Sequence, residues 1–320
     1  MRLLLAAILT FFASLPAWAD IGFAVIQVPD GAAAPIETAI WYPAEGAAPR
    51  ATQVGSFTQS LAPGAALRGR DWPLVVISHG SGSSFAGHAD TALALAEAGF
   101  IVAAPTHPGD NYRDHSGASD LTARTRQFAA VVAYLTETWN PGAVAPARVA
   151  AFGFSAGGFT VLAAAGGAPD LARIGPHCAA HPGFFDCRLI GAAGPPGVQV
   201  LTRAPVPLRA LVVAAPALGF TFGAGSLAGL TMPVQLWQAG EDAILPAPLY
   251  VEVVRAALSP PPEFHLVEGA GHFDFLAPCP EGLARAVPAI CTSAPGFDRS
   301  TFHALLNAEV VRFMREALRP

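Results

Sequence analysis

The chain has 320 residues, of which 52% are hydrophobic and 13% charged, a composition that excludes an intrinsically disordered protein. The net charge of -5 and the lack of a basic stripe argue against a nucleic-acid-binding protein. All 18 basic residues are arginines, so chemistry that needs a Walker lysine, a Schiff base or a serine–lysine dyad is excluded. We find no repeat and no long linker, and we predict a single domain over residues 20–320.

The first 19 residues have the pattern of a secretory signal peptide. Arg2 supplies the positive end, Leu3 to Leu15 the apolar core, and Ala17 to Ala19 a small-x-small cleavage site. The apolar run is too short to span a membrane, and no cysteine follows the cleavage site to carry a lipid anchor. We therefore expect a mature chain that begins at Asp20 and is exported, to the periplasm or beyond.

Strand-like and helix-like segments alternate along the rest of the chain. The predicted strands, in chain order, are IGFAVIQV, ETAIWYPA, PLVVISH, IVAAP, RVAAFGF, RALVVAAP, PVQLWQAG and EFHLVEG. The first two predict an antiparallel pair, and helices are predicted at GHADTALALAEAGF, after an N-cap at Asp120, and from about Ser300 to Leu318. Apolar strands that alternate with helices indicate an α/β fold, with a mostly parallel central sheet and helices on both faces.

Two stretches rich in glycine and proline, Gly46 to Arg70 and Ala168 to Arg203, show no pattern typical of a strand or a helix. We expect both to be irregular insertions on one body. The second is also too short and too rich in these residues to form a large amphipathic lid.

The segment GFSAG lies where the predicted strand RVAAFGF meets the helix-like run FTVLAAAGG. A serine at such a joint occupies a tight turn that raises its hydroxyl above the sheet, while the glycines leave room for the crossing backbones. Ser155 is therefore the predicted nucleophile. The alternative is a glycine-rich turn that serves helix packing alone.

A serine nucleophile needs a histidine base and an acid that orients it, and in this kind of sheet both follow the serine in the chain. His272 lies in the loop after the last predicted strand, and we predict it as the base. His265 lies inside that strand, and the remaining histidines lie before Ser155, in the second insertion or in the final helix. The acid is predicted in the loop after the preceding strand, where Asp242 is favoured and Glu241 is the alternative.

Backbone N–H groups are expected to stabilise the oxyanion that forms when the serine attacks. One is the N–H of Ala156, next to the nucleophile. The other is assigned to Ser81, in the loop that follows the strand PLVVISH. That loop lacks the spacing of a phosphate-binding loop, and this chemistry requires no organic cofactor.

The four cysteines fall in two local pairs. An exported protein enters an oxidising compartment, where disulfides form, and cysteines that are neighbours in sequence close short loops most readily. We therefore predict disulfides Cys178–Cys187 and Cys279–Cys291. The segment HCAAH is open to a metal-binding interpretation as well, but its spacing matches no structural zinc pattern. No metal site is predicted.

Taken together, the runs VISHGSGSS, APTHPGDN, GFSAGG, AGEDAILP and GAGHFDF resemble those of the α/β-hydrolase superfamily. Within it, nearly the whole mature chain resembles secreted bacterial proteins described as predicted dienelactone hydrolases, which are related to plasma-type platelet-activating factor acetylhydrolases. The resemblance implies Ser155 as nucleophile, Asp242 as acid and His272 as base, with oxyanion donors at Ser81 and Ala156. Dienelactone hydrolases use a cysteine where this chain has Ser155, which argues against that particular activity.

These patterns predict an exported serine hydrolase that cleaves carboxylic esters through an acyl-enzyme. Aromatic residues near the predicted site indicate an apolar acyl pocket for chains of about two to six carbons; they are Phe154, Phe184, Phe185, Phe273 and Phe275. The expected partner is a small-molecule ester, with no nucleic acid, no stable membrane anchor and no prediction for the oligomeric state. The alternatives are a peptidase or a polyester or lipid hydrolase of the same fold, and a catalytically silent binding module.

Overall fold

The structure, a computed structural model, describes residues 20–193 and 205–319. The predicted signal peptide and the end of the second insertion lie outside the described residues. The strands are β1 (Asp20–Val28), β2 (Ile36–Glu45), β3 (Arg50–Val54), β4 (Phe57–Pro63), β5 (Ala66–Leu67), β6 (Trp72–Ser78), β7 (Ile101–Pro105), β8 (Val144–Phe154), β9 (Leu211–Ala214), β10 (Val234–Ala239) and β11 (Glu263–Val267). The helices are α1 (Ala89–Glu97), α2 (Leu121–Glu137), α3 (Ala156–Ala164), α4 (Ile174–Ala180), α5 (Phe185–Ala193), α6 (Val251–Ala257), α7 (Glu281–Ala286), α8 (Pro288–Cys291) and α9 (Arg299–Ala317).

The strands form a single mixed sheet in the order β11-β10-β9-β8-β6-β7-β2-β1-β4-β3, with β5 beside β2. All pairings from β7 through β6 and β8 to β11 are parallel. β1 and β2 form the predicted antiparallel pair, and β2 joins β7 in antiparallel orientation. The predicted α/β architecture with a mostly parallel central sheet is confirmed.

The central strands are buried on both faces, which explains their continuous apolar sequences. In β6, Leu74 and Val76 belong to one core cluster, whereas Val75 and Ile77 belong to the other. The first cluster is covered by α2, α3 and α6, and the second by α1 and α9. The carboxyl ends of the parallel strands therefore form one edge of the sheet, where the loops that carry the site residues meet.

Helix α2 begins as the sequence predicts. The side chain of Asp120 accepts hydrogen bonds from the backbone N–H groups of Thr122 and Ala123, which satisfies two of the unpaired donors in the first turn. The predicted apolar face of the helix is buried against the sheet. No helix of the described residues is long and apolar enough to cross a membrane.

The first insertion, Gly46 to Arg70, is not irregular as expected but contains β3, β4 and β5. β3 and β4 pair so that Val54 lies opposite Phe57, and only Gly55 and Ser56 form the turn. Gly55 has a φ of 58°, which two-residue hairpin turns require and which glycine adopts at little cost. The glycine that suggested an irregular segment is therefore the turn of a hairpin.

The second insertion, Ala168 to Arg203, also differs from the expectation, because its described part is largely helical. Helices α4 and α5 are joined by the disulfide Cys178–Cys187. Ile174 and Ile190 are buried against the core. The disulfide and these two anchors hold helices that a local sequence rich in glycine does not indicate.

Candidate active site

Ser155 lies in the tight turn between β8 and α3, with φ 55° and ψ -120°. A positive φ is strained for a residue with a side chain, and such strain concentrates at functional sites. A Cβ at Gly157 would lie 1.9 Å from the carbonyl oxygen of Ser78, and a Cβ at Gly153 would lie 2.3 Å from the carbonyl oxygen of Gly157. Close backbone approach therefore requires both glycines, as predicted from the GFSAG pattern.

Ser155, His272 and Asp242 form a chain of hydrogen bonds. His272 Nε2 lies 3.1 Å from Ser155 Oγ, and His272 Nδ1 lies 2.8 Å from Asp242 Oδ2. The other oxygen, Asp242 Oδ1, accepts from the backbone N–H groups of Ile244 and Leu245 at 3.0 and 2.7 Å, which fixes the carboxylate. With Nδ1–H donating to Asp242, Nε2 is free to accept the proton of the serine.

The structure brings Asp242 to His272 and leaves Glu241, the alternative acid, exposed. The side chains of His272 and Asp242 are only 3% and 4% exposed. Their loops meet because β10 and β11 are parallel neighbours, and the backbone N–H of Glu241 donates to the carbonyl oxygen of Ala270 at 2.8 Å. Adjacent loops at one edge of the sheet thus supply the two groups.

Asp274, which the sequence analysis missed, anchors the base loop, the segment Gly269–Phe275 that carries His272. Its Oδ2 accepts from the backbone N–H of Gly271 at 2.8 Å, and its Oδ1 accepts from Arg299 Nε at 3.0 Å and from Ser293 Oγ. The side chains of Asp274 and Arg299 are 3% and 7% exposed. A buried ion pair therefore ties the base loop to the start of α9.

The aromatic residues around His272 are mostly core residues and not walls of an acyl pocket. The ring of Phe154 lies 4.8 Å from that of His272, and Phe275 stacks behind Phe154 at 6.2 Å. Both phenylalanines are almost completely buried. They support the imidazole from one side, whereas Phe185 lines the cleft beside the nucleophile.

A second buried ion pair, Arg124–Asp110, lies beneath the oxyanion loop, the segment His79–Ser83. Arg124 Nη1 and Asp110 Oδ2 are 2.7 Å apart, and their side chains are 3% and 2% exposed. Asp110 accepts from Ser81 Oγ at 3.0 Å and from the backbone N–H of Gly82 at 3.2 Å. One carboxylate therefore fixes the loop that holds a predicted oxyanion donor.

Arg124 also connects the oxyanion loop to the helix of the nucleophile. Its Nη2 donates to the carbonyl oxygen of His79, and its Nε donates to Thr160 Oγ1 at 3.1 Å. Thr160 lies in α3 and donates in turn to the carbonyl oxygen of Ala156 at 2.7 Å. A planar guanidinium suits this role because it presents several donors in a fixed geometry.

One predicted oxyanion donor is in Ala156, which follows Ser155 in the chain, and the other is in Ser81, which lines the same cleft as Ser155. The N–H of Ala156 is at the first position of α3, where a helix provides no internal acceptor. The N–H of Ser81 makes no hydrogen bond to any other described residue. A Cβ at Gly80 would lie 3.2 Å from Ser155 Cβ, which shows how closely the loop approaches the serine.

Two buried histidines complete the support of the oxyanion loop. His79 Nε2 accepts from the backbone N–H of His107 at 3.0 Å, and the ring of His107 bonds Ser78 Oγ at 2.9 Å and Gln127 Oε1 at 2.8 Å. Burial, followed by the charge of Arg124, lowers the pKa of His79 and His107. Both rings are therefore neutral near pH 7 and add no charge of their own beneath the loop.

A narrow cleft begins at Ser155. Ser155, Ala156 and Ser81 line it from the sheet edge, and α5 lines it from the other side. Its apolar walls include Leu121, Phe159, Phe185, Leu189, Ile190 and Leu218. The centre of a water molecule can occupy only about 30 Å³ of it. His272 is not among the described residues that line this cleft.

Both predicted cysteine pairs are bonded in the structure. Cys178–Cys187 joins α4 to α5 and so supports one wall of the cleft. Cys279–Cys291 spans α7 and α8, directly after the base loop. Arg299, the partner of Asp274, also donates to the carbonyl oxygen of Ile290 at 2.9 Å, so the ion pair and this disulfide belong to one support.

Comparisons with known proteins bear on the fold. The prolyl oligopeptidase family matches residues 75–192, which include Ser81 and Ser155. A comparison with curated proteins found no significant match. Among solved structures, a ferulic acid esterase from Streptomyces cinnamoneus is similar, with 17% sequence identity over 96% of this chain and 93% of that chain and a TM-score of 0.63. The resemblance to dienelactone hydrolases and acetylhydrolases stays a prediction. The sheet order, the nucleophile turn and the structural likeness together show that the chain has the α/β-hydrolase fold.

Proposed function

We propose that the protein is a serine esterase that cleaves carboxylic esters through an acyl-enzyme. The observation that carries the proposal is the hydrogen-bonded chain Ser155–His272–Asp242 at the mouth of a cleft. His272 Nε2 takes the proton as Ser155 Oγ attacks the ester carbonyl, and it returns that proton to the departing alcohol. Water then attacks the acyl-enzyme with His272 as base, which releases the acid and restores Ser155.

In this mechanism the N–H groups of Ser81 and Ala156 stabilise the oxyanion of each tetrahedral intermediate. Such donors are effective because they are fixed before the charge develops. Arg124 and Asp110 hold the loop of Ser81, and the amino end of α3, with its partial positive charge, lies at Ala156.

We also propose that the acyl group is short. The narrow cleft between Ser155 and α5 supports this size limit. Each methylene that the cleft buries adds about 0.8 kcal/mol of binding free energy, and this gain stops once the cleft is filled. In a series of p-nitrophenyl esters we expect kcat/KM to be highest for acyl chains of about two to six carbons. A steady increase through long chains, with a jump above the critical micelle concentration, would indicate a lipase instead.

The match to the prolyl oligopeptidase family favours a peptidase as the second candidate. The same triad cleaves amides when a site positions the peptide on both sides of the scissile bond. Matched p-nitrophenyl esters and p-nitroanilides of the same acyl group separate the two functions. We expect turnover of the esters, whereas comparable turnover of a peptide anilide would identify a peptidase.

The esterase proposal is tested by Ser155→Ala, with Ser60→Ala as the matched control because Ser60 is exposed in β4, outside the site. We expect the first variant to lose at least about 10⁴-fold in kcat and the control to keep wild-type activity. Ester turnover by Ser155→Ala within tenfold of the wild type would exclude the proposed mechanism.

Export is proposed as well, with residues 1–19 removed. The signal-like amino terminus and the two disulfides support it, because disulfides persist in oxidising compartments. Amino-terminal sequencing of the protein from a periplasmic or culture fraction should give Asp20 as the first residue. Retention of the full chain in the cytoplasm with reduced cysteines would contradict this proposal.

A further inference from the structure

Asp186, in the first turn of α5, lines the cleft that begins at Ser155 although no step of the proposed mechanism uses it. The residue is only 5% exposed. Its Oδ2 is buried and has no hydrogen-bond partner, the only such side-chain atom among the described residues that line this cleft. Because buried carboxylate oxygens in folded proteins nearly always have a partner, an unpaired one beside a nucleophile points to a ligand group.

The other oxygen of Asp186 is fully occupied. Oδ1 accepts from Tyr250 Oη at 2.9 Å and from the backbone N–H of Cys187 at 2.9 Å. His177 Nε2, 3.1 Å from Tyr250 Oη, completes this small network. The carboxylate is therefore held in one orientation, and only Oδ2 remains to bind a further group.

A metal ion is a poor occupant for this position. Asp186, His177 and Cys187 do place ligand atoms within 4.8 Å of one another. However, Cys187 Sγ is consumed by its disulfide, and His177 Nε2 is bonded to Tyr250. A cation would find a single free ligand from this group, the oxygen Asp186 Oδ2.

The cleft lies on the acyl side of the proposed reaction. His272 protonates the departing alcohol, so the alcohol must lie near His272 Nε2. The cleft is lined by Ser155, Ser81 and Ala156, whereas His272 does not belong to its described walls. The group that reaches Asp186 is therefore part of the acyl chain.

On the basis of the proposed esterase function, we propose that Asp186 Oδ2 binds a hydroxyl group on the acyl chain, so that the preferred substrates are esters of short hydroxy acids. A hydroxyl group fits this position because the cleft has mostly apolar walls and its other two charged residues, Arg124 and Asp110, are paired with each other. Burial raises the pKa of Asp186, and a hydroxyl group can donate to the ionised carboxylate or accept from the protonated form.

The experiment compares isosteric acyl groups that exchange a hydroxyl for a methyl. The p-nitrophenyl esters of each enantiomer of lactate and β-hydroxybutyrate are compared with those of isobutyrate and isovalerate, respectively. For the wild type, at least one hydroxy ester should exceed its methyl isostere by roughly tenfold or more in kcat/KM. The ratio is measured within one protein sample and does not depend on the fraction that is folded.

Three variants test the role of Asp186. Asp186→Leu should reverse the preference towards the methyl isostere, and Asp186→Asn, which keeps a hydrogen-bonding group, should retain part of it. Asp170→Asn is the matched control, an exposed carboxylate of the same insertion, and should leave the ratio unchanged. Equal kcat/KM for each hydroxy ester and its isostere would overturn the inference while the esterase proposal stands. A ratio that Asp186→Leu does not change, or a preference for the alanine ester over the lactate ester, would overturn it too. Lack of turnover of every ester would remove the proposed function together with the inference.

Discussion

The oxyanion loop and the base loop lie at the same edge of the sheet, and each rests on a buried arginine–aspartate pair. Arg124–Asp110 supports the first loop and Arg299–Asp274 the second. In both cases the aspartate accepts a backbone N–H of the loop, from Gly82 in the first loop and from Gly271 in the second. A buried arginine–aspartate pair thus fixes each of the two loops of the site.

The two supports differ in what else depends on them. Arg124 donates to the oxyanion loop and to Thr160 of the nucleophile helix, so it joins two parts of the site through one side chain. Arg299 reaches away from the site, to the segment closed by Cys279–Cys291. The oxyanion loop therefore relies on one central arginine, whereas the base loop shares its support with a disulfide.

The largest effect on kcat is expected from substitution of His272, which belongs to neither of the two ion pairs. His272→Ala should lower kcat by about 10⁴- to 10⁶-fold because, among the described residues, His272 is the side chain that is hydrogen-bonded to Ser155 Oγ. Asp242→Asn should cost about 10³- to 10⁴-fold, since the amide favours the wrong tautomer of His272. Glu241→Gln is the matched control and should stay within twofold. A severe loss in Glu241→Gln with a mild one in Asp242→Asn would reverse the assignment of the acid.

The comparison is tested directly by the same substitution in both pairs, Asp110→Asn and Asp274→Asn. Each leaves a buried arginine without its anion, so both should lower the free energy of unfolding by about 3 kcal/mol or more. In kcat, however, Asp110→Asn should lose about 10²-fold and Asp274→Asn about tenfold, because only the first disturbs the loop of the proposed oxyanion donor Ser81. Urea unfolding and ester kinetics measure the two quantities. Equal losses in kcat would show that the two loops are supported alike.

The two disulfides support different parts of the site: Cys279–Cys291 supports the base loop, and Cys178–Cys187 supports α5, which lines the cleft at Ser155. Their sequence separations are 9 and 12 residues, for which the chain-entropy model gives about 2–3 kcal/mol each. Replacing Cys279 and Cys291 by serine should lower kcat severalfold, whereas replacing Cys178 and Cys187 should change the preference among acyl groups, because α5 lines the cleft. Similar kinetic changes in both double variants would contradict this division.

The last prediction concerns the pH dependence of stability, for which no loss of turnover is predicted. Burial lowers the pKa of His88 from about 6.5 to about 4, so between these values the unfolded chain binds a proton that the folded chain does not. Stability should therefore fall as the pH decreases from 6.5 towards 4, by up to about 3 kcal/mol from this residue. His88 packs against Phe154, which in turn supports the ring of His272.

Urea unfolding at several pH values measures this slope. His88→Phe should make it shallower between pH 6.5 and 4, whereas the exposed His115→Gln should leave it unchanged. An identical slope in wild type and His88→Phe would show that the buried ring does not couple folding to protons.

The fold class, and the positions Ser155, Asp242 and His272 that the structure brings together, could be predicted from local sequence patterns and from chain order. The continuous apolar strands, the N-cap Asp120 and the GFSAG turn each have a signal within a few residues. The chain order then left few choices for Asp242 and His272. The hairpin turn at Gly55 and helix α5 were missed, because glycine-rich composition concealed a turn in one case and long-range anchors stabilise the helix in the other.

The supporting ion pairs could not be predicted in this way. Asp110 and Arg124 are separated by a loop, and Asp274 and Arg299 by two helices, so no local period relates the partners. Charged residues are also usually solvent-exposed, and a sequence does not show which of them fold inward. Such pairs can be identified only from the tertiary structure, in which the sheet brings the loops together.

The most direct test of the catalytic serine is mass-spectrometric mapping of the adduct formed with a fluorophosphonate probe. We expect one adduct per chain, on Ser155, with labelling lost in Ser155→Ala and strongly slowed in His272→Ala. Ser60→Ala should label at the wild-type rate. The absence of an adduct on the folded wild type, or an adduct on a different residue, would contradict the proposal that Ser155 is an activated nucleophile.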